Sequence, residues 1–455
     1  MTELPLNQIL CGPCEELLQD FPENSIDLVA TDPPYGLSFM GKEWDKALPS
    51  KAAFKQVIRV LKPGALAFVM SSPRQDLMWR MCALLEGVGF EMRQSFLSWI
   101  YKTGFPKAYD VSKGIDKKLG LERRIIGYTN PSDPLHSGRG GGSGFDTTHD
   151  KIPITEPVSD EAKEWDGWKS QTGLKPALEP ILMVNKPFSE STIVDNVLRW
   201  GTGAINVDAT RIPFQNENDK EGSKVGYDYF GARNSLELSK HEDYPKEKYN
   251  EKKGRFPANL LVSDGALDTG EITKSGAILP HHKRGDENGY LYNYGIYGKF
   301  KSRSTETVAD EGSPYRFFDL DAWAQHHGFL DVPKPDTKER DYGLQGVKKE
   351  PKSKFNKGDG KNERFDGAVS IPRRNTHPTV KPIKLMAYLI ELGCPRNGVV
   401  LDPFLGSGTT CIAAKQLGRR YIGIEINPED YVMAEARVAA YPQPLEWFQE
   451  SQDVR

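Results

Sequence analysis

Long apolar runs are missing from this 455-residue chain. Nothing in it approaches the roughly 18–20 residues that a membrane-spanning helix needs. The opening Met1-Thr2-Glu3-Leu4-Pro5-Leu6-Asn7 lacks the basic and then apolar character of a signal peptide. Cysteine is scarce. The five present (Cys11, Cys14, Cys82, Cys394, Cys411) are an odd, scattered set, which argues against a disulfide scaffold and for a reducing compartment. Neither charge sign prevails: 63 acidic against 60 basic residues leave a net −3, so contact with nucleic acid would need a local patch. The expectation is a soluble, cytoplasmic protein without a membrane partner.

Glycine (43) and proline (32) are abundant and show no collagen-like period, which points to long loops. The first 120 residues alternate between strand and helix patterns. Ile26–Ala30 is a short apolar run ended by Pro33-Pro34. Phe54, Val57, Ile58 and Leu61 share one helix face, Pro63-Gly64 stops that helix, and Ala65–Met70 reads as a buried strand. Leu77, Met81, Leu84, Leu85 and Val88 mark another helix, and a strand is expected from about Phe90 to Tyr101. The last 80 residues repeat the theme. A helix runs from near Pro382 to Gly393, Val399–Leu401 is a strand, Thr409–Leu417 a helix and Tyr421–Ile426 a strand, and Asn427-Pro428 opens a final helix. Such alternation implies a doubly wound, mostly parallel α/β sheet.

The middle differs. Gly138-Arg139-Gly140-Gly141-Gly142-Ser143 suggests a hinge or disorder over about 129–150. Residues 338–374 carry 11 Lys/Arg against 6 Asp/Glu, read equally well as a solvated loop or as a DNA-facing segment. Glu179-Pro-Ile-Leu-Met-Val-Asn-Lys186 looks like a core strand returning to the sheet.

Two turns carry chemistry. Asp32-Pro33-Pro34-Tyr35 follows the first strong strand, and ligands of doubly wound sheets bind outside the carboxyl ends of strands. Two prolines stiffen the backbone and leave carbonyls as acceptors. A carboxylate beside a fixed carbonyl suits a planar amino group, and the Tyr35 ring offers a face to a flat heterocycle. The second turn is Asp402-Pro-Phe404-Leu-Gly406-Ser407-Gly408-Thr409, a strand passing through glycines into a helix. It lacks the Gly-Lys-Ser/Thr of a phosphate loop. Glu425, 17 residues after Gly408, is placed at the next strand end to accept from two ribose hydroxyls. The ligand should therefore carry a ribose and need no phosphate grip.

Together these motifs resemble the amino-group DNA methyltransferases that use S-adenosylmethionine. The order of tetrapeptide first, long variable region next and glycine motif last is similar to the circularly permuted beta class. His377-Pro-Thr379-Val-Lys381-Pro382 matches a third family block. Weaker matches are Trp99–Lys107, Leu178–Leu182, Gly201–Asn206 and Arg255–Asn259, so the resemblance covers about 1–110, 173–212 and 370–440. It implies a seven-stranded methyltransferase sheet built from both chain ends: a catalytic half over 1–120, a target-recognition and loop-rich insert over 121–369 (173–212 returning to the core) and a cofactor half over 370–455. It also implies catalytic roles for Asp32, Pro33, Pro34 and Tyr35. Asp402, Phe404, Gly406, Ser407, Gly408, Thr409 and Glu425 would bind S-adenosylmethionine, with Thr379 and Lys381 near its methionine end. The implied partner is double-stranded DNA, with Lys102, Lys107, Lys113, Lys117 and Lys118 as phosphate contacts. Adenine N6 is favoured over cytosine N4, because an Asp opening the tetrapeptide is commoner in the adenine enzymes. The setting would be a bacterial cell or a phage-infected host, and the resemblance leaves room for a homodimer and a partner restriction endonuclease. One departure is Pro13, where relatives usually have an Asp near the cofactor adenine.

Other readings weigh less. Cys11-Gly-Pro-Cys14 copies a thioredoxin-type redox motif and faintly resembles a cytosine carbon-5 nucleophile, but the methyltransferase pattern already accounts for that segment. No metal is expected: there is no second Cys-x-x-Cys, and His281-His282 and His326-His327 are adjacent pairs that point apart. A relative acting on RNA or a protein glutamine usually places the glycines before the tetrapeptide. A catalytically dead DNA-binding module would be expected to have lost Asp32 or Gly406, and both are intact.

Overall fold

The computed structural model describes residues 3–37, 45–101, 109–128, 153–170, 177–222, 254–275, 290–292, 299–301, 310–329, 337–344, 374–375, 377 and 379–442. In chain order its main elements are β1 (Gln8–Cys11), β2 (Ile26–Thr31), α1 (Lys51–Val60), β3 (Leu61–Met70), α2 (Gln75–Val88), β4 (Leu97–Tyr101) and α3 (Val111–Lys118). There follow β5 (Ala177–Asn185), α4 (Ile193–Trp200), β6 (Leu260–Ser263), α5 (Leu320–His326), α6 (Ile383–Gly393), β7 (Val399–Asp402), α7 (Thr409–Gln416), β8 (Arg420–Glu425) and α8 (Pro428–Ala440).

Eight strands form one sheet in the order β1-β8-β7-β2-β3-β5-β4-β6. The two chain ends meet in its middle, where β7 pairs in parallel with β2 through Val400–Leu28 and Leu401–Val29. Only β5 is reversed, antiparallel to both β3 and β4. The sheet thus has one strand more than the seven expected. Its outer pairs are β1 against β8 and β6 against β4, both parallel.

The central strands are buried almost throughout, and their side chains alternate between two covered faces, as a sheet packed on both sides requires. Leu28, Ala30, Phe68 and Met70 pack on one face with Leu385 and Leu389 of α6, Ile412 of α7 and Trp323 of α5. Val29, Ala67 and Val69 pack on the other with Phe54 and Val57 of α1 and Met81 and Leu85 of α2. Helix ends follow their caps: the Ser50 hydroxyl accepts from Ala53 N, and the Asn427 side chain accepts from Glu429 N ahead of Pro428.

Three boundaries differ from the sequence reading. The helix ends at Val60 and the strand starts at Leu61, before Pro63-Gly64. There the Pro63 carbonyl accepts from Asn196 Nδ2 (2.9 Å) and Thr202 Oγ1 (2.6 Å). The strand expected from Phe90 begins only at Leu97, because Arg93–Phe96 are exposed and offer the sheet no buried face. The glycine-rich 138–143 stretch, His281-His282 and most of the basic 338–374 run lie outside the described residues.

Candidate active site

The parallel strands deliver Thr31-Asp32, Asp402, Glu425 and Cys11-Gly12 to one edge, the carboxyl end of the sheet. Because β5 runs the other way, its beginning lies at that same edge: Ala177 pairs with Tyr101, the last residue of β4. Glu179 therefore joins the rim.

Asp32 sits at the centre of a small acid cluster. Its Oδ1 accepts from the Tyr35 hydroxyl at 2.5 Å, and its Oδ2 holds the Lys381 ammonium. Lys381 also lies 3.3 Å from Glu179 Oε2, and Glu179 Oε1 accepts from the Tyr101 hydroxyl at 2.7 Å. The three charged side chains are 11–19% exposed, so they are mostly withdrawn from water. Burial lifts the Asp32 carboxyl above its usual range; Lys381 pulls it back and Glu179 adds to the rise. Burial works against the charge on Lys381, but Asp32 and Glu179 overcome it and hold the ammonium above its ordinary value. The turn itself is pinned by Asp45, whose Oδ1 accepts from Tyr35 N (2.8 Å) and Gly36 N (3.0 Å). Pro33 is buried and Pro34 half-buried.

The glycine loop lies on the neighbouring strand. Gly406 and Gly408 take positive φ values of 58° and 87°, which turn the chain into α7. The two Glu425 oxygens accept from Gly406 N (2.7 Å) and Asn427 N (2.8 Å). Burial nevertheless pushes the Glu425 carboxyl up to about 7. Phe404 and Thr379 are half-buried, and the Thr409 hydroxyl is buried with no hydrogen-bond partner among the described residues.

Two of the expected ligand residues are turned inward. Asp402 accepts from Thr31 Oγ1 and Thr410 Oγ1, each at 2.6 Å, and from Phe404 N at 3.1 Å. Burial raises its carboxyl to about 6. The Ser407 carbonyl and hydroxyl oxygens both accept from the Arg437 guanidinium of α8. In this structure both shape the loop rather than line it. Lys381, expected near the methionine end of a cofactor, is part of the acid cluster. Pro13 caps the short Cys14–Leu17 helix and brings no acid there. Cys14 is buried, and burial, with the Glu15 carboxylate beside it, pushes its thiol up to about 12, the reverse of a redox thiolate. Lys113, Lys117 and Lys118 line the exposed side of α3, whereas Lys102 and Lys107 lie outside the described residues.

Sequence reasoning missed Glu179 and Tyr101 as site residues. The signal was a lone acid in the apolar run Ala177-Leu-Glu-Pro-Ile-Leu-Met-Val.

Parts of the chain are similar to known proteins. The chain is 35% identical over 108 residues to the Type II methyltransferase M2.LlaDCHI of Lactococcus lactis subsp. cremoris, which is 23% of this chain and 39% of the relative. It is 48% identical over 70 residues to the Type II methyltransferase M.HindIII of Haemophilus influenzae, 15% of this chain and 23% of the relative. The chain thus spans well under half the length of these curated relatives. Superposition on PvuII DNA methyltransferase (cytosine-N4-specific) covers 98% of this chain and 91% of the other, at 14% identity and a TM-score of 0.38, too low to bear on the fold. The family model described as DNA methylase (N6_N4_Mtase) matches residues 26–436, from β2 into α8, and the chain belongs to that family.

Proposed function

We propose that this chain is a site-specific DNA methyltransferase that moves a methyl group from S-adenosylmethionine to the exocyclic N6 of adenine in double-stranded DNA. The observation that carries the reading is the adjacency of the two turns. Thr31, next to Asp32, is hydrogen-bonded at 2.6 Å to Asp402, which opens the glycine loop. A group held by the loop is thereby set beside Asp32.

The loop fits the cofactor. Glu425 at its strand end offers carboxylate oxygens to a ribose diol, the glycines at 406 and 408 keep side chains out of a turn packed closely against His377 and Ala434, and the buried Thr409 hydroxyl has no hydrogen-bond partner among the described residues. When bound, S-adenosylmethionine supplies an electrophilic methyl on a sulfonium. The chain's own residues position the acceptor. A base stacked in a duplex cannot reach this edge, so the target nucleotide is flipped out. Tyr35 stacks on it, and Asp32 and the Pro33 carbonyl accept from its amino group, aiming the nitrogen lone pair at the methyl. Catalysis is then positioning and electrostatics, with no enzyme nucleophile. Lys102, Lys107, Lys113 and Lys117 contribute phosphate contacts. The Asp at position 32 supports adenine over cytosine.

Nucleoside mass spectrometry on DNA from a methylation-deficient host expressing the chain tests this. N6-methyladenine that disappears in Asp32→Ala is the expected result. N4-methylcytosine would move the assignment to the other base. Neither product, with S-adenosylmethionine still bound by the purified chain, would overturn DNA as the substrate.

A further inference from the structure

Both oxygens of Asp32 are occupied, one by the Tyr35 hydroxyl and one by the Lys381 ammonium. An incoming amino group is an N–H donor, as the ammonium is, and the two compete for the same carboxylate. The amino group would bring one charged partner to the bond and the ammonium brings two, an ion pair largely withdrawn from water, so the amino group loses that contest unless the ammonium has somewhere else to go. The structure provides that place. Glu179 Oε2 is already 3.3 Å from Lys381 Nζ, and Glu179 is braced through its other oxygen by Tyr101. The bracing is fixed by the fold, because the reversed β5 puts Glu179 opposite Trp99 of β4, two residues before Tyr101. Two carboxylates thus share one cation in a half-buried pocket, and moving the cation from one to the other needs no new charge.

Resting on the methyltransferase reading above, we propose that Glu179 is a positioning residue that takes Lys381 off Asp32 when the target base enters. Asp32 Oδ2 is then released as an acceptor for the amino group, while Tyr35 keeps Oδ1 and the ammonium stays neutralised by Glu179.

Glu179→Gln tests this with little change of shape, since the amide oxygen still accepts from Tyr101. It leaves Lys381 with Asp32 as its only carboxylate among the described residues. The expected result is a fall in kcat of about 10- to 100-fold, as for an unbroken charge-assisted bond, with KM for DNA and for S-adenosylmethionine changed by less than about threefold. Adding Lys381→Gln to that variant removes the competitor and should recover part of the lost kcat. A merely structural Glu179 would give neither the kcat-only loss nor the recovery. Tyr101→Phe, which only loosens the brace, should give a smaller loss of the same kind, and it replaces the first variant should thermal melting show that one unfolded. Wild-type kcat in the Gln variant, a loss confined to KM, or a double variant no faster than the single one would overturn the inference alone. A wild-type chain that methylates no DNA would overturn the underlying reading and this inference with it.

Discussion

Thr31 and Asp402 are 371 residues apart in sequence and 2.6 Å apart in space, the hydroxyl of one donating to the carboxylate of the other. Both are buried, and the bond crosses the junction where the beginning and the end of the chain share the sheet. Thr31→Val keeps the shape and removes the donor, leaving a carboxylate oxygen short of one partner. The variant should lose about 2 kcal/mol of unfolding free energy, in the range for a hydrogen bond to a charged group, whereas Thr31→Ser should keep most of it. Urea denaturation reads the difference. Equal stability of the two variants would show that the hydroxyl contributes nothing.

Glu425 gives the stability a pH slope. Its folded carboxyl stands at about 7 against an ordinary 4.5, so between those values the folded chain holds a proton that the unfolded chain releases. The contribution favours folding fully below pH 4.5 and is lost as pH rises through 7. At 1.36 kcal/mol per pKa unit it amounts to about 3 kcal/mol at most. Asp402, raised to about 6, slopes the same way. Glu425→Gln should flatten the fall in stability between pH 5 and pH 7.5 without changing its sign. Denaturation midpoints at both pH values check this, and an unchanged slope would mean that Glu425 titrates normally.

Cys11 and Cys14 should separate cleanly. Cys11 is exposed, and Cys14 is buried with its thiol at about 12, so at pH 8 only about one Cys14 in ten thousand is thiolate. Brief iodoacetamide treatment followed by peptide mass spectrometry should find Cys11 alkylated and Cys14 intact. The Cys11→Ser/Cys14→Ser double variant should still methylate. Equal labelling of the two would reopen the redox reading.

What the sequence made legible was set by local chemistry. Asp32–Tyr35, Gly406, Gly408 and Glu425 stand where strands end, and turn residues announce those ends. Asp402 and Ser407 stand in the same motif, but which way a side chain turns depends on Thr31, Thr410 and Arg437, partners that spacing cannot reveal. Glu179 was harder still. An acid in an apolar strand joins this site only because β5 is reversed and its first residues meet the end of β4, a matter of long-range register. The eighth strand was missed for a related reason, since a four-residue edge strand carries little pattern.

Gly406 tests the loop itself. Its φ of 58° is left-handed, which costs an ordinary residue about 1–2 kcal/mol. A methyl group there would also lie 2.9 Å from Nε2 and 3.0 Å from Cε1 of the His377 ring. The backbone must shift or the ring must move, and a shift in the backbone pulls Gly406 N away from Glu425, the residue proposed to hold the ribose. Gly406→Ala should therefore remain folded while weakening S-adenosylmethionine binding by tenfold or more, about 1.4 kcal/mol, in isothermal titration calorimetry. Adding His377→Ala relieves the contact but leaves the left-handed strain, so it should restore part of the affinity. If Gly406→Ala binds the cofactor as wild type does, the cofactor is held somewhere other than this loop. If the second substitution restores nothing, backbone strain rather than the His377 contact sets the geometry of Glu425.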